Sequence, residues 1–464
     1  MMPNTTASED FMLTATNPYS GKKIADYPAL DQAAMSERIG DASAAFSSWK
    51  AKSFAERAEV LRAVAKKLRE QKPAIAKLMA DEMGKPIKEG GPEVEKAAVC
   101  AEFYADNAED FLAAETLASD ASVSYVRYQP LGTLLGILPW NAPLWLAFRY
   151  LAPALMAGNT CVMKHDPNVP ASAQAIADAF AAAGAPANIM VNLPIETSLA
   201  EAAIRDPRIM AVSFTGSAGA GAKVAAVAGS EIKPAVLELG GSDPCIVMAD
   251  ADLEKAANIA VLSRIINAGQ SCIAAKRILV EQSIYPEFLE MLRTRLAALT
   301  LGDPALDTTD VGPIARDDLR QNLHRQVSET INAGARCLLG GELPAGDGYF
   351  YPVTLLADVT SDMCAFREET FGPVMAVAPV ADLEQAVSIA NDTEFGLGAA
   401  LWMADSKAAQ EVAGRINAGQ VAINGIVKTD PRLPSGGIKR SGYGRELGPH
   451  GIKEFVNAKQ VWVG

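Results

Sequence analysis

Two short segments bring together the residue types that covalent catalysis needs. Asn267-Ala268-Gly269-Gln270-Ser271-Cys272 offers a thiol flanked by small residues, and Glu238-Leu239-Gly240-Gly241 offers a carboxylate. A thiolate attacks a carbonyl carbon readily, and a carboxylate can activate the water that later releases the product. Only three histidines are present, His165, His324 and His450, so a carboxylate is favoured as the base over a Cys–His dyad. An activated Cys272 would alkylate faster than the other five cysteines. Those five, Cys100, Cys161, Cys245, Cys337 and Cys364, lie in apolar runs and read as small buried hydrophobes. The plainer reading of Glu238 is a strand-end carboxylate paired with a lysine.

These groups need a scaffold, and the chain alternates strand and helix. Leu131–Leu138 reads as a buried strand, followed by a helix over about 144–156 and a strand at Thr160–Lys164. Further units follow: helix 170–183, strand 209–214, a helix opening at Thr215-Gly216-Ser217, and strand 235–239. This repeated βαβ pattern predicts an α/β fold with parallel sheets, doubly wound and Rossmann-like, of the kind that binds dinucleotides at the C-terminal ends of its strands. The pattern restarts after Gly241, which predicts a second α/β domain. We place a dinucleotide-binding domain at 1–112 and 136–241 and a catalytic domain at 242–435. Segments 113–135 and 436–464 form a small β extension for oligomerisation with a tail, because Ala121–Tyr128 and Glu454–Val463 read as exposed strands. Two N-terminal segments, Ala33–Lys50 and Phe54–Met83, read as amphipathic helices.

At 464 residues, 49% apolar and 21% charged, the chain has room for two or three domains of an ordinary globular enzyme. Its net charge of −13 argues against nucleic acid and anionic membranes as partners. Leu131 to Met163 carries a single charge, Arg149, yet Pro139, Asn141, Pro143, Pro153 and Asn159 break it well short of the roughly 20 apolar residues of a membrane helix. Met1 to Asp10 has no apolar core of a secretory signal. Scattered cysteines with neither CxxC nor HExxH exclude a disulfide framework and a zinc site, and place the protein in a reducing cytoplasm.

Other motifs sit where the pattern ends its strands. Gly216-Ser217 opens a helix whose N-terminus could take a phosphate, or is simply a tight turn. Asn141 can donate to an oxyanion or cap the next helix. Lys164 can reach a ribose hydroxyl or lie on the surface. Glu369 and Phe371, in Glu368-Glu369-Thr370-Phe371-Gly372-Pro373-Val374, can bind a ribose diol and flank a flat ring, or form only a loop.

The ordered set PWN, K-x-x-P, FTGS, ELGG, GQSC, EETFGPV and SGGIKRSGYGRELG resembles the aldehyde dehydrogenase superfamily over essentially the whole chain. KHDPN, ELGGSDP and Thr429–Pro434 are similar to its bacterial succinate-semialdehyde dehydrogenase branch. The resemblance implies NAD(P)-dependent oxidation of an aldehyde to the acid. Cys272 would be the nucleophile, forming a thiohemiacetal and then a thioester. Asn141 and the Cys272 N–H would hold the oxyanion, and Glu238 would activate water. Pro139, Trp140, Lys164, His165, Pro167, Gly216, Ser217, Leu239, Glu369 and Phe371 would line the NADP or NAD site. Many NAD-preferring relatives carry Glu where this chain has Pro167, and its absence should permit NADP. His165 could help a phosphate or be a neutral surface histidine.

The resemblance also places Ala142, Leu146, Arg149, Ile266, Ser271 and Ser435 at the substrate. Ala142 and Ser435 replace two aromatic rings, which would widen the pocket for a bulkier or aromatic aldehyde. Arg149 matches an arginine that holds the carboxylate of a semialdehyde; its alternative is a structural ion pair. CoA acylation is disfavoured by the presence of Glu238, and a non-catalytic role by the intact Cys272, Glu238 and Asn141. A homodimer or homotetramer is expected.

Overall fold

The computed structural model describes residues 12–464, so the reading of Met1 to Asp10 lies outside the described residues. A six-stranded sheet runs, in spatial order, Gly442–Tyr443, Ala235–Glu238, Ile209–Thr215, Thr133–Leu138, Thr160–His165 and Met190–Asn192. All pairs are parallel except the first. Strand residues alternate between two cores. Leu134, Leu138, Cys161 and Met163 face one side with the helices Phe54–Met83 and Pro143–Met156. Leu135, Ile137, Val162 and Phe214 face the other, with Met35 and Ile39 of the helix Gln32–Lys50 and with Val224. Both faces are therefore covered, which is why the strands read as continuous apolar runs.

The second sheet has seven strands, in the order Arg336–Leu339, Thr354–Ala357, Val374–Val380, Ala275–Glu281, Asp243–Val247, Gly398–Trp402 and Gln420–Ile423. It too is parallel but for one edge pair and has a core on each face. Both sheets are thus mostly parallel, each with one antiparallel edge strand. A third sheet joins Val456–Val463, Val123–Pro130 and Glu115–Thr116, all antiparallel. The segment 436–464 does more than supply that arm, since its Gly442–Tyr443 extends the first sheet beside Leu237 and Glu238.

Leu131 to Met163 folds as strand, helix and strand, and among the described residues no helix is long and apolar enough to cross a membrane. The helix Ile87–Phe111 went unread because Gly90-Gly91-Pro92 looks like a breaker. Gly90 is instead a crossing point, where an added Cβ would lie 2.9 Å from that of Ala76 on the neighbouring helix. Two cysteine readings need correction. Cys100, Cys161 and Cys245 are buried, but Cys337 on the edge strand is exposed and Cys364 partly so.

Candidate active site

Strand register lines up the groups of the first sheet. Leu138 pairs with His165, Ile137 with Phe214 and Thr215 with Glu238, so four strands end on one level. That edge carries Pro139, Trp140, Asn141, Lys164, Pro167, Gly216, Ser217, Glu238 and Leu239, as expected of a doubly wound sheet. Cys272 comes from the other domain, on the segment between the helix Leu253–Ile265 and the strand Ala275–Glu281.

The backbone before Cys272 is forced into an unusual shape. Asn267, Ala268 and Gly269 all have left-handed φ values, 54°, 54° and 74°. A side chain at Gly269 would collide with the Gly372 carbonyl, so glycine there lets the Phe371-Gly372 loop close on the cysteine segment. Such strain persists only where the surroundings over-determine it. Here Glu89 Oε2 accepts from the Asn267 N–H at 2.7 Å, and the Asn267 amide donates to the Asn141 carbonyl at 2.9 Å and the Gln270 carbonyl at 3.1 Å. The Asn141 amide donates to the same Gln270 carbonyl at 3.1 Å. Lys276, fully buried, donates to the carbonyls of Ser271 at 3.0 Å and Cys272 at 2.6 Å.

Cys272 and Ser271 are partly exposed. Burial pushes the Cys272 thiol up to about 12; Lys276 and Arg149 pull it down, and Glu238 and Glu369 push it up. Both carboxylates are therefore within electrostatic reach of the sulfur. The resting sulfur is a protonated thiol that needs a base, so rapid alkylation of the free enzyme, as the sequence reading expected, does not follow from its resting charge state.

Arg149 departs from its expected role. It is 3% exposed and lies between two carboxylates, with its guanidinium 2.9 Å from Glu238 Oε2 and paired also with Glu446. Burial works against its charge, but Glu446 and Glu238 outweigh burial and hold it ionised. It also donates to Ser435 Oγ at 3.3 Å. The structural ion pair is what is present, and Ser435, 2% exposed, belongs to it. Burial, offset by Arg149 and reinforced by Glu238, raises the Glu446 carboxyl to about 7. Replacing Arg149 with Met would leave two buried carboxylates facing each other. We expect a loss of about 3–5 kcal/mol, read as a lower urea midpoint; an unchanged midpoint would contradict it.

The cofactor-side residues fall in place unevenly. Trp140 and Phe371 meet edge to face at 5.8 Å. Glu369 accepts from the Gly241 N–H at 3.1 Å and pairs with Lys276 at 3.3 Å. Ser217 caps the helix Ala218–Ser230 through the Ala220 N–H at 3.3 Å. Lys164 is not a surface lysine; it is 4% exposed, and burial lowers its ammonium. The buried Thr215 hydroxyl is without a partner among the described residues. A buried cation, an unpartnered hydroxyl and a helix N-terminus on one edge, with the Trp140 and Phe371 rings meeting beside it, fit a dinucleotide.

His165 is a correction: it is buried, Nε2 lies 3.1 Å from the Pro143 carbonyl, and burial lowers it to about 3, so it is a neutral core residue and not a phosphate partner or a surface group. Leu146 packs in the first core, Ala142 is half-buried, and Ile266 is 38% exposed. Sequence reasoning missed Glu89, Asn267, Gln270, Lys276 and Glu446. A usable signal existed for Lys276, which with Arg277 puts two adjacent cations at the start of the strand Ala275–Glu281.

The model of the aldehyde dehydrogenase family matches residues 5–461. The chain belongs to that family. A probable succinate-semialdehyde dehydrogenase [NADP(+)] of Synechocystis is 47% identical over 97% of this chain and 99% of that protein. Succinate-semialdehyde dehydrogenase [NADP(+)] 1 of Mycobacterium ulcerans is 46% identical over 97% of this chain and all of its own. Among solved structures, succinic semialdehyde dehydrogenase from Streptococcus pyogenes, in complex with NADP+, superposes with a TM-score of 0.95 at 33% identity, over 97% of this chain and 99% of that one. A lactaldehyde dehydrogenase gives the same TM-score, also at 33% identity, over 99% and 97%. The protein is an NAD(P)-dependent oxidoreductase acting on an aldehyde, with the two-domain α/β fold of its family.

Proposed function

We propose that the protein oxidises succinate semialdehyde to succinate and prefers NADP. The reaction rests on one observation, Cys272 on a segment tied down by Asn141, Asn267 and Lys276, with the Glu238 carboxylate near enough to raise its thiol. The substrate and cofactor rest on the names borne by relatives of 45–47% identity. Pro167 adds support, because the turn after Thr160–His165 has no carboxylate at that position to repel a 2′-phosphate, while the neighbouring Asp166 accepts from the Asn168 N–H at 2.9 Å.

Glu238 takes the proton that burial keeps on Cys272. The thiolate adds to the aldehyde carbon, and the resulting thiohemiacetal oxyanion lies against the Asn141 amide and the Cys272 N–H. Bound nicotinamide supplies the hydride acceptor. Lys164, Ser217 and Glu369 would hold the dinucleotide, and Trp140 and Phe371 would flank its ring. Cys272 is left as a thioester, and Glu238 deprotonates the water that hydrolyses it, releasing acid and free thiol.

The test is formation of reduced cofactor with NADP and NAD over succinate semialdehyde, short aliphatic aldehydes and benzaldehydes. The highest kcat/KM on succinate semialdehyde with NADP is expected. A peak on benzaldehydes would sink the substrate reading and favour the widened pocket at Ala142 and Ser435.

We also propose a homo-oligomer joined through the third sheet. Val456–Val463 is its edge strand, and Leu117, Val123, Trp462 and Val463 are 46–55% exposed there. Sedimentation at micromolar concentration should give a dimer or tetramer, and a monomer would contradict it. A nucleophilic thiol and five further free cysteines fit a reducing cytoplasm; recovery from a secreted fraction would contradict that.

A further inference from the structure

One face of the helix Ile87–Phe111 forms a wall of the site. Glu89 holds the Asn267 N–H, Glu93 accepts from the N–H groups of Leu144 at 2.9 Å and Trp145 at 3.2 Å, and Cys100 lies 3.6 Å from the Phe148 carbonyl. These residues tie the cysteine segment to the helix that begins just after Asn141. Lys96 lies on the same face, three residues beyond Glu93. Its Nζ sits 4.0 Å above the Trp145 ring and donates to Thr429 Oγ1 at 2.9 Å. That oxygen also accepts from Trp145 Nε1 at 3.0 Å.

Lys96 is half-buried and has no ion-pair partner among the described residues. The carboxylates near it are already engaged, Glu93 by Lys85 and Asp430 by Arg432. An ammonium has three donors, and one neutral acceptor leaves two over. A poorly solvated cation without a counter-ion is costly to hold, and an incoming anion relieves that cost. Arg149 already has its charge balanced by two carboxylates, Glu238 and Glu446.

We propose that Lys96 receives the carboxylate of the substrate, so that the enzyme selects aldehydes bearing an anionic far end. This rests on the semialdehyde reading above and names the group that enforces it. Trp145 walls the aliphatic part, and Thr429 fixes the ammonium.

The test compares succinate semialdehyde with butanal, which has the same carbon number and no charge, in the full-length enzyme with NADP. Their kcat/KM ratio should fall roughly 10- to 100-fold in Lys96→Met, mainly through KM for the anion, and recover largely in Lys96→Arg. A pH series on the wild type gives an independent reading. The groups facing Lys96 are Glu93 and Cys100 on its own helix, Arg149 on the next and Asp430 on the loop. Burial, with Arg149 adding, lowers its ammonium to about 8. The protonated form binds the anion, so the ratio should be high below pH 8 and fall as pH rises through it. Ionisation of Cys272 and Glu238 affects both substrates and cancels.

An unchanged ratio in Lys96→Met overturns the proposal while a carboxylate preference stands. A ratio flat through pH 8 overturns it even where the variant does not fold. A wild type that takes butanal as readily as succinate semialdehyde removes the semialdehyde reading, and this proposal with it.

Discussion

Cys272→Ala is expected to abolish formation of reduced cofactor, by at least about 10⁴-fold in kcat/KM. No other thiol can substitute. Cys100, Cys161 and Cys245 are buried, while Cys337 and Cys364 sit on the edge strand and the short helix Cys364–Arg367 of the second domain. The loss should be purely chemical. Cys272 is partly exposed, and the segment around it is fixed through backbone groups that Ala retains: Lys276 grips the Ser271 and Cys272 carbonyls, and Asn267 grips Gln270. The urea midpoint should therefore stay close to wild type. Residual oxidation within about tenfold of wild type would mean that no sulfur adduct lies on the path.

Glu238→Gln should separate the two halves of the reaction. The isosteric amide can still occupy the position beside Arg149 but cannot take a proton from water. Steady-state turnover should fall by about 10²–10⁴-fold, with hydrolysis as the slow step. Whether an initial burst of one equivalent survives depends on how Cys272 loses its proton. Burial keeps that thiol protonated, and with Glu238 replaced its proton must leave to water, so the burst is slower than in the wild type but still precedes hydrolysis. The network beneath should tolerate the change. Glu238 raises the Glu446 carboxyl and Arg149 lowers it. With Glu238 neutral, Glu446 ionises more readily, and a single Arg149–Glu446 pair remains. A linear time course at the wild-type rate would remove Glu238 from the mechanism.

The groups that do chemistry were legible because residue type nearly dictates role. A cysteine amid small residues, a carboxylate at a strand end and an asparagine after a buried strand can be named without coordinates, and register then places two of them on one level. The βαβ order was readable for a related reason: buried parallel strands are short apolar runs bounded by turns, and the strands read at Thr160–Lys164 and 209–214 fold to within one residue of those bounds.

What holds these groups was not legible. Glu89 and Asn267 are 178 residues apart, and Arg149 reaches Glu446 across the whole second domain. No local pattern announces such pairs. Arg149 shows the consequence, since a cation near the site reads equally as a substrate anchor or as half of an ion pair until Glu446 is placed. His165 was misread because it ends a strand buried on both faces, where alternation gives no outward side. Gly90-Gly91-Pro92 hid a long helix because a glycine that permits close packing looks, in sequence, like one that breaks a helix.

The most direct test of the central claim is the intact mass of Glu238→Gln quenched once reduced cofactor reaches one equivalent with succinate semialdehyde and NADP. The account predicts a species heavier by one succinyl group, with the label on the peptide carrying Cys272 and absent without NADP. Reduced cofactor accumulating beyond one equivalent while Cys272 stays unmodified would contradict it.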